Sequence, residues 1–394
     1  MASITNSPNK ITFLHDNVGY KLQTVTEKLI VTTTINAIEQ EEFIFPDANS
    51  KSLCDYMNDY AEQFVEKPST PDFASFAIAE ICSVDIATNF KNVAETETFN
   101  AALRYCIWGM QKVKDLKADV FTESKALAFR TYRPKKSLLS KTQQEIVSLL
   151  VLGNFANNVY LSADIEILNQ DNSIANTISI SQIVNIDAGA DKYNINLSLS
   201  YDNLKTEILA VDALVNIDDF FGLNINFYLQ EQVGAGPNPN TDPIIANSNL
   251  DTLYYKFDLK NRVRERQYLW LNQIGGREVL RAFGKRQDEN EYEKEIATVY
   301  KDSFAYNEAK EETWHVEKNW MIEQNSGFFE IDSKNWQAYY DEFFASESVY
   351  EIQADNSLLP IILENKNYEL ANDNKELRSL SFKAKYVNNG NGYA

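Results

Sequence analysis

The chain has 394 residues, 44% of them hydrophobic, with 57 acidic against 37 basic residues and a formal net charge of -20 at pH 7. That length supports two or three domains with separate cores, and the hydrophobic fraction excludes wholesale disorder. The acidic balance argues against nonspecific binding to DNA or RNA, whose phosphates need Lys and Arg, and against an anionic membrane surface. No run approaches the ~20 apolar residues that a bilayer-spanning helix requires, so no membrane insertion is expected. Residues 1–10 are polar and lack the basic-then-apolar order of a signal peptide, so synthesis in a reducing cytoplasm is expected. Cys54, Cys82 and Cys106 are odd in number and form no CxxC, which gives neither a zinc site nor a disulfide framework. Aromatics reach 12%. They suit surfaces half-buried against partners, and equally the interior of a β-rich protein.

Residues 1–120 read as a mixed α/β domain. The Thr-, Val- and Ile-rich stretch 22–37 predicts one strand or two, and 43–45 ends at the turn signal Pro46-Asp47. Leu53, Tyr56, Met57, Tyr60 and Phe64 have helical spacing that stops before Pro68. Phe99, Leu103, Cys106, Ile107, Met110 and Val113 form a second helical stripe. Both stripes fit a core better than a cofactor.

Residues 121–265 read as a β-sandwich-like domain. Tyr193, Ile195, Leu197, Leu199 and Tyr201 alternate with Asn194, Asn196, Ser198 and Ser200, which predicts a strand with one dry face and one wet face. The pattern recurs at Leu161, Ala163, Ile165 and Ile167, at Leu223, Ile225, Phe227 and Leu229, and at Leu253, Tyr255, Phe257 and Leu259. Turn formers at 169–172, 187–191 and 218–219 separate the strands. The polar, Pro-rich excursion 234–243 is either a connector or a contact loop.

Residues 266–394 read as an α+β domain opened by a β-hairpin. Residues 266–272 and 277–284 are its strands, and Gly275-Gly276 supplies the turn. A later strand carries Trp314, Val316, Trp320 and Ile322. A helix capped by Asp332 or Ser333 follows, with Trp336, Tyr339, Tyr340, Phe343 and Phe344 on one stripe. Strands at 349–352, 359–363 and 380–386 complete the domain, and the Asn/Gly-rich tail 388–394 is expected to be loose. The fold class is therefore mainly β with some α, in several domains.

Catalytic hardware is sparse. His15 and His315 fall in different predicted domains, and no HExxH, GxSxG, Walker-type or GxGxxG motif is present. His315, beside Trp314, reads as a strand residue. Carboxylates are abundant, which leaves a two-carboxylate hydrolase as a third reading, but adjacent acids such as Asp218-Asp219 point apart or into solvent. No catalytic, cofactor or metal residues are assigned. Basic residues cluster instead: Arg130, Arg133, Lys135, Lys136 and Lys141 around Pro134; Arg262, Arg264 and Arg266 along one strand face; and Arg277, Arg281, Lys285 and Arg286. In so acidic a chain, Arg130, Arg133, Lys135, Lys136, Arg262, Arg264 and Arg266 are candidate subunit-interface residues; solvated surface charge is the alternative.

Two stretches carry a resemblance. Residues 128–134 (AFRTYRP), followed by Gln143, Gln144 and Glu145 and the apolar run 146–152, resemble a pattern in structural proteins of phages infecting Bacteroidetes. Residues 268–276 (YLWLNQIGG), through Phe283-Gly284, resemble the hairpin that opens the C-terminal domain of those proteins. The helix and strands over 336–386 follow in the same order, so the likeness covers roughly residues 125–390. The chain departs from it at Arg130, where a smaller polar residue is usual, and at Arg277, where an aromatic is common. The resemblance implies a non-enzymatic virion component of a tail or baseplate, or of a phage-like injection machine, made in the host cytoplasm. Its implied partners are copies of itself and other virion tail proteins, with no cofactor and no nucleic acid. The alternative is a tail protein that binds a host-surface receptor or carbohydrate, with Trp314, Trp320, Tyr339 and Tyr340 stacking on sugar rings.

Overall fold

The computed structural model describes residues 3–6, 11–13, 20–23, 28–35, 37–45, 51–54, 61–92, 98–101, 104–107, 125–189, 191–258, 265–298, 311–327, 329–330, 334–364 and 377–387. The architecture is mainly β with some α. The chain divides into two compact units: Met1–Leu259 with Asn272–Glu278, and Lys260–Leu271 with Val279–Ala394. The break at 259/260 lies close to the expected boundary at 265/266. The expected boundary at 120/121 is crossed by a sheet, because Ala77–Ile81 pairs antiparallel with Tyr193–Ser198.

Alternating residues of the first unit close two sheets over one apolar layer. The five-stranded sheet runs in the order Lys136–Ser140, Leu253–Asp258, Gly222–Glu231, Val159–Leu168, Ile174–Ile186. Only its first pair is parallel. The four-stranded sheet runs Leu127–Phe129, Ile146–Val151, Tyr193–Ser198, Ala77–Ile81, all antiparallel. Leu161, Ile165, Ile225 and Phe227 of one sheet and Val147, Leu149, Ile195 and Leu197 of the other belong to the same buried core. Full burial of each such side chain contributes about 1.5–3 kcal/mol.

The strand predicted to reach Tyr201 ends at Ser198, and the helix Tyr201–Val211 begins instead. Ser200 caps it, its hydroxyl accepting from Asn203 N at 3.3 Å. Tyr201, Leu204 and Ile208 then recur at helical spacing and are buried. A second correction concerns the polar side of the same strand. Asn194, Asn196 and Ser198 are buried, so this face is not wet.

N-terminal to the sandwich, Ser3–Asn6, Tyr20–Gln23 and Lys51–Cys54 form a three-stranded sheet. A second sheet is ordered Ile11–Phe13, Arg104–Ile107, Ser83–Asn92, Leu29–Ile35, Ile38–Ile44, with Thr98–Asn100 paired to Ser83–Asn92. Where the expected helix from Phe99 onward is described, the chain forms the strands Thr98–Asn100 and Arg104–Ile107 instead, and Cys106 is buried in the second; Leu103 lies outside the described residues. Arg104–Ile107 has a hydrogen-bonding neighbour on each side, and such pairing overrides the helical stripe. Met110 and Val113 lie outside the described residues. Of the earlier stripe, Leu53 is in a strand, Tyr56, Met57 and Tyr60 lie outside the described residues, and a helical turn closes where Val65 N donates to Ala61 O at 3.0 Å.

In the second unit the strand order is Arg277–Ala282, Arg266–Leu271, Val349–Ile352, Leu358–Leu363, Ser381–Tyr386, Glu311–Asn325, Arg286–Thr298. The hairpin and the three closing strands stand where the sequence puts them. The helix Lys334–Ala345 carries buried Tyr339, Tyr340 and Phe343. Trp270 meets Tyr339 and Phe343 edge-on at 5.4 and 5.9 Å, and Phe343 meets Phe382 at 5.3 Å. Its expected caps, Asp332 and Ser333, lie outside the described residues, as does the tail 388–394. Glu311–Asn325 is 15 residues long, yet only Met321–Asn325 pairs with Ser381–Tyr386. Residues 311–320, His315 among them, pair with Arg286–Thr298 alone among the described residues, as a two-stranded arm.

Candidate functional site

Five of the seven candidate interface residues are described, and they differ in exposure. Arg130 is fully buried, which corrects its assignment as a docking charge. Its Nε donates to Ile274 O at 2.7 Å and its Nη1 to Asn194 Oδ1 at 3.1 Å. Burial holds the Arg130 guanidinium below its ordinary pKa, while Cys82 and Glu80 pull it back up. Arg133 is nearly buried and forms an ion pair with the buried Glu145. Lys135 is exposed and pairs with Asp251, Lys136 is exposed on a sheet-edge strand, and Arg266 is partly exposed 3.6 Å from Glu351. Arg262 and Arg264 lie outside the described residues. In the third group, Arg277 is buried, Arg281 pairs with Glu265 at 2.7 Å, and Arg286 pairs with Glu351 at 2.5 Å.

Arg130 belongs to a buried polar layer on the outer side of the four-stranded sheet. Asn194 passes the contact on, its Nδ2 donating to Glu80 Oε1 at 3.0 Å. Ser148 Oγ donates to Asn196 Oδ1 at 2.7 Å and accepts from Arg277 N at 2.8 Å. Arg277 Nη2 donates to Pro68 O at 2.9 Å. The segment Asn272–Glu278 supplies much of this layer. Asn272 Nδ2 donates to Arg130 O at 2.9 Å and to Glu278 Oε1 at 2.6 Å, and its Oδ1 accepts from Gly276 N at 2.7 Å. Gly275 has φ of 79°, the left-handed turn conformation expected of it. Gly276 sits so close that a Cβ would lie 1.7 Å from Arg130 O.

Two carboxyls are enclosed here. Glu145 accepts from Tyr255 OH at 3.1 Å and Gln143 Nε2 at 3.0 Å. Burial raises its pKa, and Arg133 pulls it down. Glu278 accepts from Tyr132 N at 3.0 Å; burial pushes its carboxyl up to about 7 against the hydrogen bonds from Tyr132 and Asn272. Raised carboxyl pKa values are common at active sites, but structural networks raise them as well. A cleft of about 290 Å³ is lined by Lys125, Asn154 and Glu231 among others, and one of about 610 Å³ by Lys285, Glu323 and Asn325 among others. Neither Glu145 nor Glu278 lines these clefts. The hydrogen bonds of the layer hold the chain's segments in one arrangement.

Sequence reading missed Glu80, Glu145, Asn194, Asn272 and Glu278. The available signal was the run of amides and hydroxyls at alternate strand positions: alternation marks which residues share a face and is silent on whether water reaches it.

The outward features are loops, edges and the arm. The excursion 234–243 is organised around the buried Asp242, which accepts from Asn238 N at 2.6 Å, Val233 N at 3.1 Å and Tyr160 OH at 3.0 Å. Those bonds hold the Asp242 carboxyl below the usual carboxylate range, the Asn238 amide most of all, against its burial. Asp218 likewise accepts from Lys141, Lys205 and Tyr201, which together hold its pKa far down. Trp320 is 44% exposed and packs against Tyr386 with ring centroids 4.8 Å apart. Tyr339 and Tyr340, offered as sugar-stacking residues, are buried and unavailable. Trp314 lies in the strand Glu311–Asn325, its side chain outside the described set.

No protein-family model matches the chain, and no curated protein matches it. Among solved structures, it is similar to native α2-macroglobulin from Escherichia coli spanning domains MG0-NIE-MG1, at 8% identity and a TM-score of 0.21, over 71% of this chain and 86% of that one. It is also similar to a 1.5-MDa bacterial ice-binding adhesin, at 11% identity and a TM-score of 0.15, over 66% of this chain and 65% of that one. Likeness at this level carries no argument about fold or function.

Proposed function

We propose that this chain is a non-enzymatic structural subunit of a phage or phage-like tail or baseplate assembly, working through protein–protein interfaces in an oligomeric ring. The observation that carries the reading is the arm: residues 311–320 and their partners in Arg286–Thr298 extend beyond the sheet with no third strand among the described residues. A two-stranded ribbon gains little stability by itself, so a long one makes sense as a handle for another surface. The most deeply enclosed charges, Arg130 and Glu145, are engaged in internal hydrogen bonding, a use that fits a rigid building block. The assignment to a tail rests on the resemblance over residues 125–390.

The test is hydrodynamic size, measured for the chain alone over a range of concentrations and after co-expression with tail proteins encoded beside it. Defined oligomers or co-purifying tail partners are expected. A monomer that ignores every tail partner overturns the reading. Recognition of a host-surface carbohydrate is the second reading, favoured by the half-exposed Trp320 beside Tyr386. Binding on a glycan array that Trp320→Ala abolishes would establish it.

A further inference from the structure

The arm has two unlike faces. Successive residues of a strand alternate sides, so Glu289, Glu291 and Glu295 of Arg286–Thr298 share one face, and all three are exposed. At the arm's base Met321 stands directly across from Glu289 on one side and Lys385 on the other. Tyr292 and Trp320 belong to the opposite face. At the arm's base Lys383 lies 3.6 Å from Glu323 and offsets it. Glu291 and Glu295 stand farther along the two-stranded ribbon, which spans roughly 33 Å at the usual ~3.3 Å per residue.

The first unit carries a surface of opposite character. Lys136–Ser140 is the terminal strand of the five-stranded sheet. Lys136 is exposed, Leu138 is 46% exposed, and Lys256 stands directly across from Leu138 on the neighbouring strand, also exposed. Lys135 adds a further ammonium, shared with Asp251. This edge is thus an apolar residue framed by lysines, opposite in charge to the exposed glutamates of the arm.

We propose that the glutamate face of the arm of one copy docks on the Lys135, Lys136 and Lys256 edge of a second copy, head to tail. The inference rests on the subunit reading above and names the contact that would build the ring. Two copies at a formal charge of -20 each repel, so association favours a contact where the local signs are opposite. At physiological salt, charges beyond about 8 Å are screened, and the local pairing outweighs the distant repulsion. A contact between two different patches is heterologous: it propagates from copy to copy and closes into a ring when the rotation permits.

The test uses the full chain in two charge-reversed forms, Glu289→Lys/Glu291→Lys/Glu295→Lys and Lys135→Glu/Lys136→Glu/Lys256→Glu, with circular dichroism and thermal melts to confirm that each folds. Sedimentation velocity is run at low and high salt. Wild type should self-associate, more weakly at high salt. Each variant alone should associate about tenfold or more weakly, and an equimolar mixture should recover most of the loss, because a lysine arm then meets a glutamate edge. Failure of the mixture to recover, or variants that associate like wild type, overturns the proposed contact while the subunit reading survives, since the chain still assembles. A monomeric wild type also overturns the contact, as does an arm that binds only a basic tail protein of different sequence. The subunit reading then stands or falls on co-expression with tail partners.

Discussion

Changing Glu278 to Gln should make the first unit more stable at alkaline pH and leave it nearly unchanged at acid pH. In the folded chain burial pushes this carboxyl from 4.5 up to about 7. Between those values the folded state keeps a proton that the unfolded chain has released. The stabilisation is therefore fully present below about pH 4.5, falls as pH rises, and is lost by about pH 7. A gap of about 2.5 units at ~1.4 kcal/mol per unit amounts to roughly 3 kcal/mol. Glutamine keeps an acceptor for Tyr132 N and cannot ionise, so the variant avoids that loss. Glu145, raised in the same direction by burial, titrates in both proteins, and the difference between them isolates Glu278. The assay is urea unfolding at about pH 5 and about pH 8, following a probe in the first unit, since the two units can melt separately. A variant that loses as much stability as wild type between those pH values would refute the argument that the enclosed carboxyl is neutral.

Three further outcomes are expected. Gly276→Ala puts a methyl 1.7 Å from the backbone oxygen of Arg130, which cannot rotate away; thermal denaturation should show a loss of about 3 kcal/mol or more. Arg130→Met roughly keeps the volume but strips donors from Ile274 O and Asn194 Oδ1; unfolding should show a cost of roughly 3 kcal/mol, with faster hydrogen exchange at residues 272–278. Ser200→Ala removes the cap of Tyr201–Val211, and chemical denaturation should report about 1 kcal/mol.

The hairpin and the second unit were legible because their signals were local. Asn272 and Gly275-Gly276 fix a turn by backbone geometry, and Trp270, Tyr339, Phe343 and Phe382 fall on faces that their own periodicity defines. The stretch 193–211 was only half legible. Its alternation places Ile195 and Leu197 in the core, but the same pattern ran on through Ser200, and the helix start was hidden because Ser200 and Tyr201 also continue the alternating series. Phe99 to Val113 misled for a different reason. Short segments take the structure that supplies hydrogen-bond partners, and at Arg104–Ile107 those partners come from Ile11–Phe13 and Ser83–Asn92, far away in sequence. The basic clusters divided in the same way. Lys135 and Lys136 face outward as a surface charge should, while Arg130 is enclosed because Asn194, 64 residues on, waits for its guanidinium.

The first unit is interrupted in the chain: Asn272–Glu278 belongs to it, yet Lys260–Leu271 comes between. During synthesis, Arg130 leaves the ribosome long before Ile274 and Asn272 exist. Until residue 278 has cleared the exit tunnel, the guanidinium can reach Asn194 but not Ile274 O, and the sandwich is left with a socket whose plug is still being translated. Vectorial folding of the larger unit therefore ends only when the smaller one has begun, and a chain cut at 259 would keep that socket open.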